Sequence, residues 1–423
     1  MKKLIASALS LTLALSLLVG CGKTDDNDSS AGSSTPSPSS KTGETISLKV
    51  WGAQEDQDML KDMVEKFKEK HTDNTYDITF GVVSESEAKD EVLKDVSEAA
   101  DVFALASDQI AELQSAGGLY RVTKNKDEII ANNTEASIDA ATVDGELYAY
   151  PSSSDTYFMF YDKSKLTEED VESLETILAK DLGDDVINFG FDIANGWYQS
   201  SFFFATGCKL FGDDGTDPTQ CDFNNDKGVL AGEYMIDLVN NKKFAGNYKD
   251  DQIKSGFETG KLAAAVTGTW NAADIQGYLG DNFAATKLPT IKLSDDSTVQ
   301  MGGMANFKLY GVNAQTKHPV EAMELAEWLT NKDNQSVRFS MRSFAPTNRE
   351  LANDAEALSA DIAVSALAKQ AVFSTVQTSI PQVGNYWDPA EAFGNGLMDG
   401  SITKDNLQEK LDTFVEAVLA TLS

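Results

Sequence analysis

The sequence predicts an α/β protein built in two halves, and three observations carry that prediction. At 423 residues the chain is long enough for two domains and a large core. Its folded part opens as strand, helix, strand, helix, strand, the order of a parallel sheet with helices on both faces. The stretch 143–163, VDGELYAYPSSSDTYFMFYDK, runs from a tight turn through a short apolar strand, a proline and a polar run into a second, aromatic-rich strand. It reads as the crossing between the halves, with Asp155 at the crossing point.

The chain begins with a short positive segment, Met1-Lys2-Lys3, followed by an uninterrupted run of apolar and small residues from Leu4 to Val19. That is the pattern of an export signal and is somewhat short for a membrane span. The run ends in Leu18-Val19-Gly20-Cys21, which resembles a bacterial lipobox. The resemblance implies cleavage after residue 20 and lipidation of the Cys21 thiol; an ordinary signal peptide with an incidental cysteine is the alternative. Two or three acyl chains make such anchoring stable, whereas one is marginal. From Gly22 to Gly43 there are seven Ser, three Thr, three Asp, two Pro and no aromatic residue. Such a segment cannot bury enough surface to order itself. As a flexible tether it would span ~25 Å root-mean-square.

The folded body starts at Ile46-Ser47-Leu48-Lys49-Val50-Trp51, an alternating strand closed by Gly52. Leu60, Met63, Val64 and Phe67 recur at helical spacing and predict a helix over 57–71. A strand is expected over 76–83, a helix over 85–99 and a buried strand over 101–106, followed by Ser107-Asp108. Beyond the crossing, WYQSSFFFAT (197–206) predicts a buried helix and LAAAVT (262–267) a buried strand followed by Gly268-Thr269-Trp270. A strand over 307–313 returns to the first half, a helix follows over 320–329, and Ala345-Pro346-Thr347 marks a later crossing. At the end, Leu407, Leu411, Phe414, Val415, Val418 and Leu422 form one helical stripe. These stripes read as core.

Composition removes several classes of function. The formal charge of −32 repels nucleic acid and anionic lipid, so neither is an expected partner. The two histidines, His71 and His318, lie in polar surroundings and look like surface residues, which leaves a His-dependent triad poorly supplied. No Cys/His cluster has zinc spacing and no Gly-rich phosphate loop is present, so no metal and no cofactor are expected. Cys208 and Cys221 bracket the acidic turn FGDDGTDPTQ. Outside the cytoplasm cysteines this close can pair across a hairpin. A disulfide is expected, with two free thiols as the alternative. Asp213, Asp214 and Asp217 lack the spacing of an EF-hand loop and read as an exposed turn, which leaves calcium binding open.

Conspicuous side chains gather at strand ends. Trp51 ends the first strand, Asp108 follows the third, Trp270 follows LAAAVT, Asp155 sits at the crossing and Tyr386-Trp387 come near the end. In open α/β sheets ligands bind beyond the carboxyl ends of the strands. Aromatic rings with carboxylates suit carbohydrate: the C–H faces of a pyranose lie on an indole, and carboxylates accept hydrogen bonds from paired hydroxyls. Each charge-assisted bond contributes roughly 1.5–3 kcal/mol.

Four segments carry a family resemblance running from about Ile46 to the C-terminus. They are Asp101-Val102 with Ser107-Asp108 and Ser115-Ala116-Gly117-Gly118-Leu119; Asp144-Gly145 to Lys163; Gly260-Lys261 to Trp270; and Ile380-Pro381-Gln382 with Tyr386-Trp387. They resemble the extracellular solute-binding proteins of bacterial ABC importers, of the maltose/maltodextrin-binding type. The resemblance implies a two-lobed, periplasmic-binding-protein-like fold. Each lobe would be a mixed, mostly parallel sheet flanked by helices, joined by a multi-strand hinge, with 44–153 and 308–346 in the N-lobe and 154–307 and 347–423 in the C-lobe. It implies that Asp108 and Asp155 bond sugar hydroxyls, Asp155 replacing a glutamate one methylene longer. It implies that Trp270 and Trp387 stack on sugar, with Trp197 near the family's tyrosine platform. The Trp and Arg that flank the first aspartate in the family are here Leu105 and Gln109.

The expected protein is therefore a monomeric, lipid-anchored receptor on the outer face of the cell membrane. It would take a maltooligosaccharide between its lobes, deliver it to an ABC permease and catalyse nothing. The alternatives are the same fold taking another oligosaccharide, or a secreted glycoside hydrolase using Asp108 and Asp155 as its carboxylate pair.

Overall fold

Alternation of apolar and polar residues in Thr45–Gly52 buries Ile46, Leu48 and Val50 on one face, and this strand lies inside the first of two large sheets. The computed structural model describes residues 43–213 and 215–421. The signal run, Cys21, the tether up to residue 42, Asp214 and Leu422 lie outside them. The order across the first sheet is Ala345–Pro346, Ala149–Thr156, Gly303–Val312, Val102–Ala106, Thr45–Gly52 and Thr75–Val82. The last three run parallel, as the strand–helix alternation predicts. Gly303–Val312 enters antiparallel between Val102–Ala106 and Ala149–Thr156, so the sheet is mixed. Ser374–Val376 adds a short parallel pairing to the start of that inserted strand.

The second sheet is ordered Phe283–Thr286, Phe158–Asp162, Leu262–Thr267, Ile187–Gly190, Phe244–Ala245. Its middle strand is the expected LAAAVT, buried at every position. Such a continuous apolar run is what a strand covered on both faces requires. The chain leaves the first sheet at Thr156 and enters the second at Phe158, with Tyr157 between them. The crossing thus falls inside the expected stretch. The strands nevertheless run past the expected boundaries at 153/154 and 307/308, because Asp155 and Thr156 still pair with Asn306 and Ala305 of the first sheet.

Each lobe has its own core. In the first, Leu60, Met63, Val64 and Phe67 of the helix Gln57–Lys70 pack under the sheet with Leu325 and Leu329. In the second, the C-terminal helix Leu407–Val418 buries Leu407, Leu411, Phe414, Val415 and Val418, the predicted stripe. Phe414 meets Phe203, Phe223, Tyr386 and Phe393 at centroid distances of 5.5–6.1 Å. Each such fully buried large side chain contributes about 1.5–3 kcal/mol.

Two local expectations change. The helix expected over 85–99 spans only Ala88–Lys94, because the N–H and hydroxyl of Ser97 both donate to Asp95 Oδ1, at 3.0 and 2.6 Å, and that turn competes with another helical turn. Glu85 lies ahead of this helix and lines the cleft described below. Cys208 and Cys221 are free thiols, not a disulfide. The hairpin register pairs Leu210, not Cys208, with Cys221. The Cys208 thiol instead lies 3.4 Å from Thr206 Oγ1 and 3.7 Å from Asn225 Oδ1. Burial pushes the two thiols up, to about 11 for Cys208 and about 12 for Cys221. His71 is half-buried and stacks on Phe67 with centroids 4.0 Å apart. Among the described residues no helix is long and apolar enough to cross a membrane.

Candidate functional site

Strand ends of both sheets face one cleft of about 480 Å³, within the range of small-molecule sites. Five of the residues singled out from the sequence line it: Asp108, Asp155, Trp197, Trp270 and Trp387. Two others do not. Trp51 is half-buried on the opposite side of its strand from Val50, its indole lying so close over Gly81 that a Cβ there would sit 2.6 Å from Cδ1. Tyr386 is wholly buried and donates its hydroxyl to the Gly196 carbonyl at 2.7 Å. That contact fixes the Gly384–Met398 helix, which carries Trp387, against the helix that carries Trp197.

Each lining aromatic is held by its own element. The helix Gly196–Ala205 is capped by Asn195, whose Oδ1 accepts from the Trp197 N–H at 3.0 Å. Gly196 is required, since a Cβ there would meet Ala390 Cβ at 2.8 Å. Trp270 sits in the turn Thr269–Asn271 directly after LAAAVT. Its ring folds back over Gly268, where a Cβ would meet Cζ3 at 1.8 Å. Its Nε1 donates to Asp250 Oδ2 at 3.1 Å, and Asp250 Oδ1 accepts from Asn271 Nδ2 at 2.7 Å and Thr267 Oγ1 at 3.1 Å. The Trp197 and Trp270 rings lie 5.8 Å apart and 33° from parallel. They form one continuous aromatic wall.

The acidic side is organised by Asn306, which sequence reasoning missed. Its Nδ2 donates to Asp108 Oδ1 at 3.1 Å and to Gln377 Oε1 at 3.0 Å. Its Oδ1 accepts from the Ser107 N–H at 3.1 Å and from the Ser107 hydroxyl. Asn306 is also the cross-strand partner of Asp155. Burial raises the Asp108 carboxyl above its ordinary range, partly offset by the Asn306 bond. Burial pushes Asp155 up to about 7; Lys308 nearby opposes this and Glu85 adds to it. Among the described residues Asp155 Oδ1 has no hydrogen-bond partner, nor does Trp197 Nε1.

Lys308, also missed, supplies the cation. Its Nζ lies 3.5 Å from Glu85 Oε1, 4.3 Å from the Phe344 centroid and 5.7 Å from the Trp270 centroid. Burial acts against its charge, but Glu85, Asp155 and Asp56 outweigh burial and raise its pKa. Glu85 is penalised by burial as well and is held below its ordinary range chiefly by Lys308. The signal for Lys308 was in the sequence, a single charge inside the apolar strand GMANFKLYGV. Leu105 is core. Gln109 also lines the cleft, but its amide is engaged by the protein: its Oε1 accepts from the Lys89 N–H at 3.0 Å and its Nε2 donates to the Ser86 carbonyl at 2.8 Å, propping the segment that leads into the helix Ala88–Lys94. Among the described residues no cluster of acidic, cysteine or histidine side chains is placed to hold a metal ion. Asp213 is exposed and Asp217 accepts from Thr219 and Gln220.

Two lobes, joined by several crossing strands and lining one cleft with tryptophans and hydrogen-bonding groups, define a ligand-binding protein of the hinged type. The family model for bacterial extracellular solute-binding proteins matches residues 62–366, and the chain belongs to this family. It is 28% identical to a galactooligosaccharide-binding protein of Bacillus subtilis (strain 168), across 98% of this chain and 94% of that protein. It is 24% identical to a maltooligosaccharide ABC transporter solute-binding lipoprotein of Streptococcus pneumoniae (strain R6), across 90% of this chain and 89% of that one. A solved structure described as with acarbose superposes with a TM-score of 0.82 at 33% identity, covering 88% of this chain and 98% of the other.

Proposed function

We propose that the protein is the receptor of an ABC sugar importer and that its cleft takes an oligosaccharide, a maltooligosaccharide first. The observation that carries this is the wall of Trp197 and Trp270 facing the half-buried Asp108 and the buried Asp155, with Trp387 completing the lining. Rings give flat apolar contact to pyranose faces, and Asp155 Oδ1 is a buried acceptor without a partner among the described residues, ready for a hydroxyl donor. The relative named for maltooligosaccharides and the neighbour solved with acarbose support the choice of sugar. The relative named for galactooligosaccharides, aligned over nearly the whole chain, supports galactooligosaccharides as a second reading.

Calorimetry with maltose through maltoheptaose, beside galacto-, xylo- and fructo-oligosaccharides, tests both. The expected result is binding in the micromolar range, about −8 kcal/mol, strongest for the maltooligosaccharides. Stronger binding of galactooligosaccharides selects the second reading. No covalent step is expected: with maltotriose, tryptophan quenching without glucose release is predicted, and released glucose would make the protein a hydrolase.

The first 21 residues support an anchored receptor, as does the streptococcal relative's name as a lipoprotein. Cys21→Ser is expected to shift the protein from the membrane fraction to the medium. Retention at the membrane would reject lipidation at Cys21.

A further inference from the structure

We infer that Arg342 is an inter-lobe latch: it is a positioning residue, outside the cleft, that holds Trp270 in place and slows reopening once the lobes have closed. The inference rests on reading the cleft as a ligand site that closes.

Arg342 ends the helix Lys332–Arg342, which belongs to the first lobe. Within that helix Arg338 donates to Tyr310 Oη at 3.0 Å and Gln335 to the Pro151 carbonyl at 3.3 Å, both in first-sheet strands. Arg342 Nε donates to Asp56 Oδ1 at 2.9 Å, and the two side chains are only 11% and 4% exposed. Asp56 too belongs to the first lobe, just ahead of the helix Gln57–Lys70. Arg342 Nη2 then crosses the cleft edge and donates to the main-chain carbonyl of Trp270 at 3.0 Å. Trp270 belongs to the second lobe. One guanidinium therefore joins a buried carboxylate of one lobe to the backbone of the other lobe's stacking residue.

Three further features aim this arm. The helix closes on Ser343 in the left-handed region at φ 55°, with its N–H returned to the Phe339 carbonyl at 3.0 Å. A non-glycine residue holds that conformation only where its surroundings require it. Here the Ser343 hydroxyl is bound by Asp361 Oδ2 at 2.7 Å. The turn also places Phe344 beneath the guanidinium, 5.6 Å from ring centroid to Cζ, while Lys308 lies over the same ring and over Trp270. Arg342, Phe344 and Lys308 thus form a layer from the first lobe against which Trp270 rests. When the lobes part, Trp270 leaves with the second lobe. Arg342 Nη2 then loses its acceptor and the Asp56 pair loses its cover, so the contact favours the closed form alone.

Arginine is needed for the geometry, because its planar fork donates to two acceptors at fixed angles and a lysine ammonium does not. Arg342→Lys keeps a positive charge beside Asp56 and removes the second donor. The expected result is a dissociation rate for maltotetraose about ten-fold faster, measured by stopped-flow tryptophan fluorescence, with an unchanged association rate. The ligand-free melting temperature should fall only slightly, because the open form is still folded. Small-angle scattering of the ligand-free proteins should give a larger radius of gyration for the variant. A dissociation rate equal to wild type overturns the latch. So does a faster dissociation accompanied by a much lower ligand-free melting temperature and an unchanged radius, which would assign Arg342 to folding alone. If neither protein binds any sugar, the proposed function fails and the scattering curves still decide: a more open variant supports the latch and identical curves overturn it.

Discussion

Trp270→Ala is expected to weaken oligosaccharide affinity by about thirty-fold, roughly 2 kcal/mol, the scale of a buried aromatic anchor at a binding site. The loss has two sources. The sugar loses a ring face, and Trp197 loses the neighbour 5.8 Å away that completes the wall. The fold should be nearly unaffected, since Trp270 is only partly buried against the second core and Asp250 keeps Asn271 and Thr267 as partners. Calorimetry beside a thermal melt checks both halves. Unchanged affinity, or a loss of affinity explained by unfolding, counts against the stacking role. Trp387→Ala, on a separate helix of the same cleft, should give a loss of the same sign.

Asp155→Asn should make the protein more stable at alkaline pH while weakening its hold on sugar. Burial lifts the Asp155 carboxyl from 3.8 to about 7. The sign follows from proton counting. Between about pH 4 and pH 7 the folded state keeps a proton that the unfolded chain has lost, so stability falls as pH rises through that window. The full effect at pH 8 is on the order of 4 kcal/mol, at about 1.4 kcal/mol for each unit. Asparagine carries no such penalty, so the variant should melt above wild type at pH 8 and close to it at pH 4. Its amide offers sugar hydroxyls a neutral acceptor in place of a charged one, a loss of about 1 kcal/mol in affinity, the difference between a charge-assisted and a neutral bond. Melting below wild type at pH 8 would mean that the attraction of Lys308 outweighs burial at this site. The charge lowers stability and improves binding, the exchange expected where function sets a residue.

Much of the framework was legible because it rests on periodicity. The strand Leu262–Thr267, the helix Gly196–Ala205 and the stripe of Leu407–Val418 all follow from which positions are apolar. Local competition was harder to see. The Asp95–Ser97 turn ends a helix whose apolar spacing continues past it. Single aromatic residues could not be assigned to core or cleft by type. Tyr386 and Trp387 are neighbours on one helix, about 100° apart around it, so when one points into the core the other is turned elsewhere. Trp51 turned on which face of its strand it occupies. What the sequence could least supply is register between distant segments. Asn306 reaches Asp108 and Ser107 across separations of 198 and 199 residues, and Gln377 across 71. The Cys208–Cys221 expectation failed for the same reason, since the hairpin sets Cys221 opposite Leu210, two residues beyond Cys208.

The strand Gly303–Val312 lies in the middle of the first sheet, yet it comes from the last third of the chain. During synthesis Val102–Ala106 and Ala149–Thr156 both emerge long before the partner that separates them. The N-terminal lobe therefore cannot finish folding on its own. Its edges stay unpaired until most of the polypeptide exists, and non-local pairing of this kind is slow to form. In a member of an extracellular solute-binding family, the binding cleft is therefore completed only after most of the chain has been made.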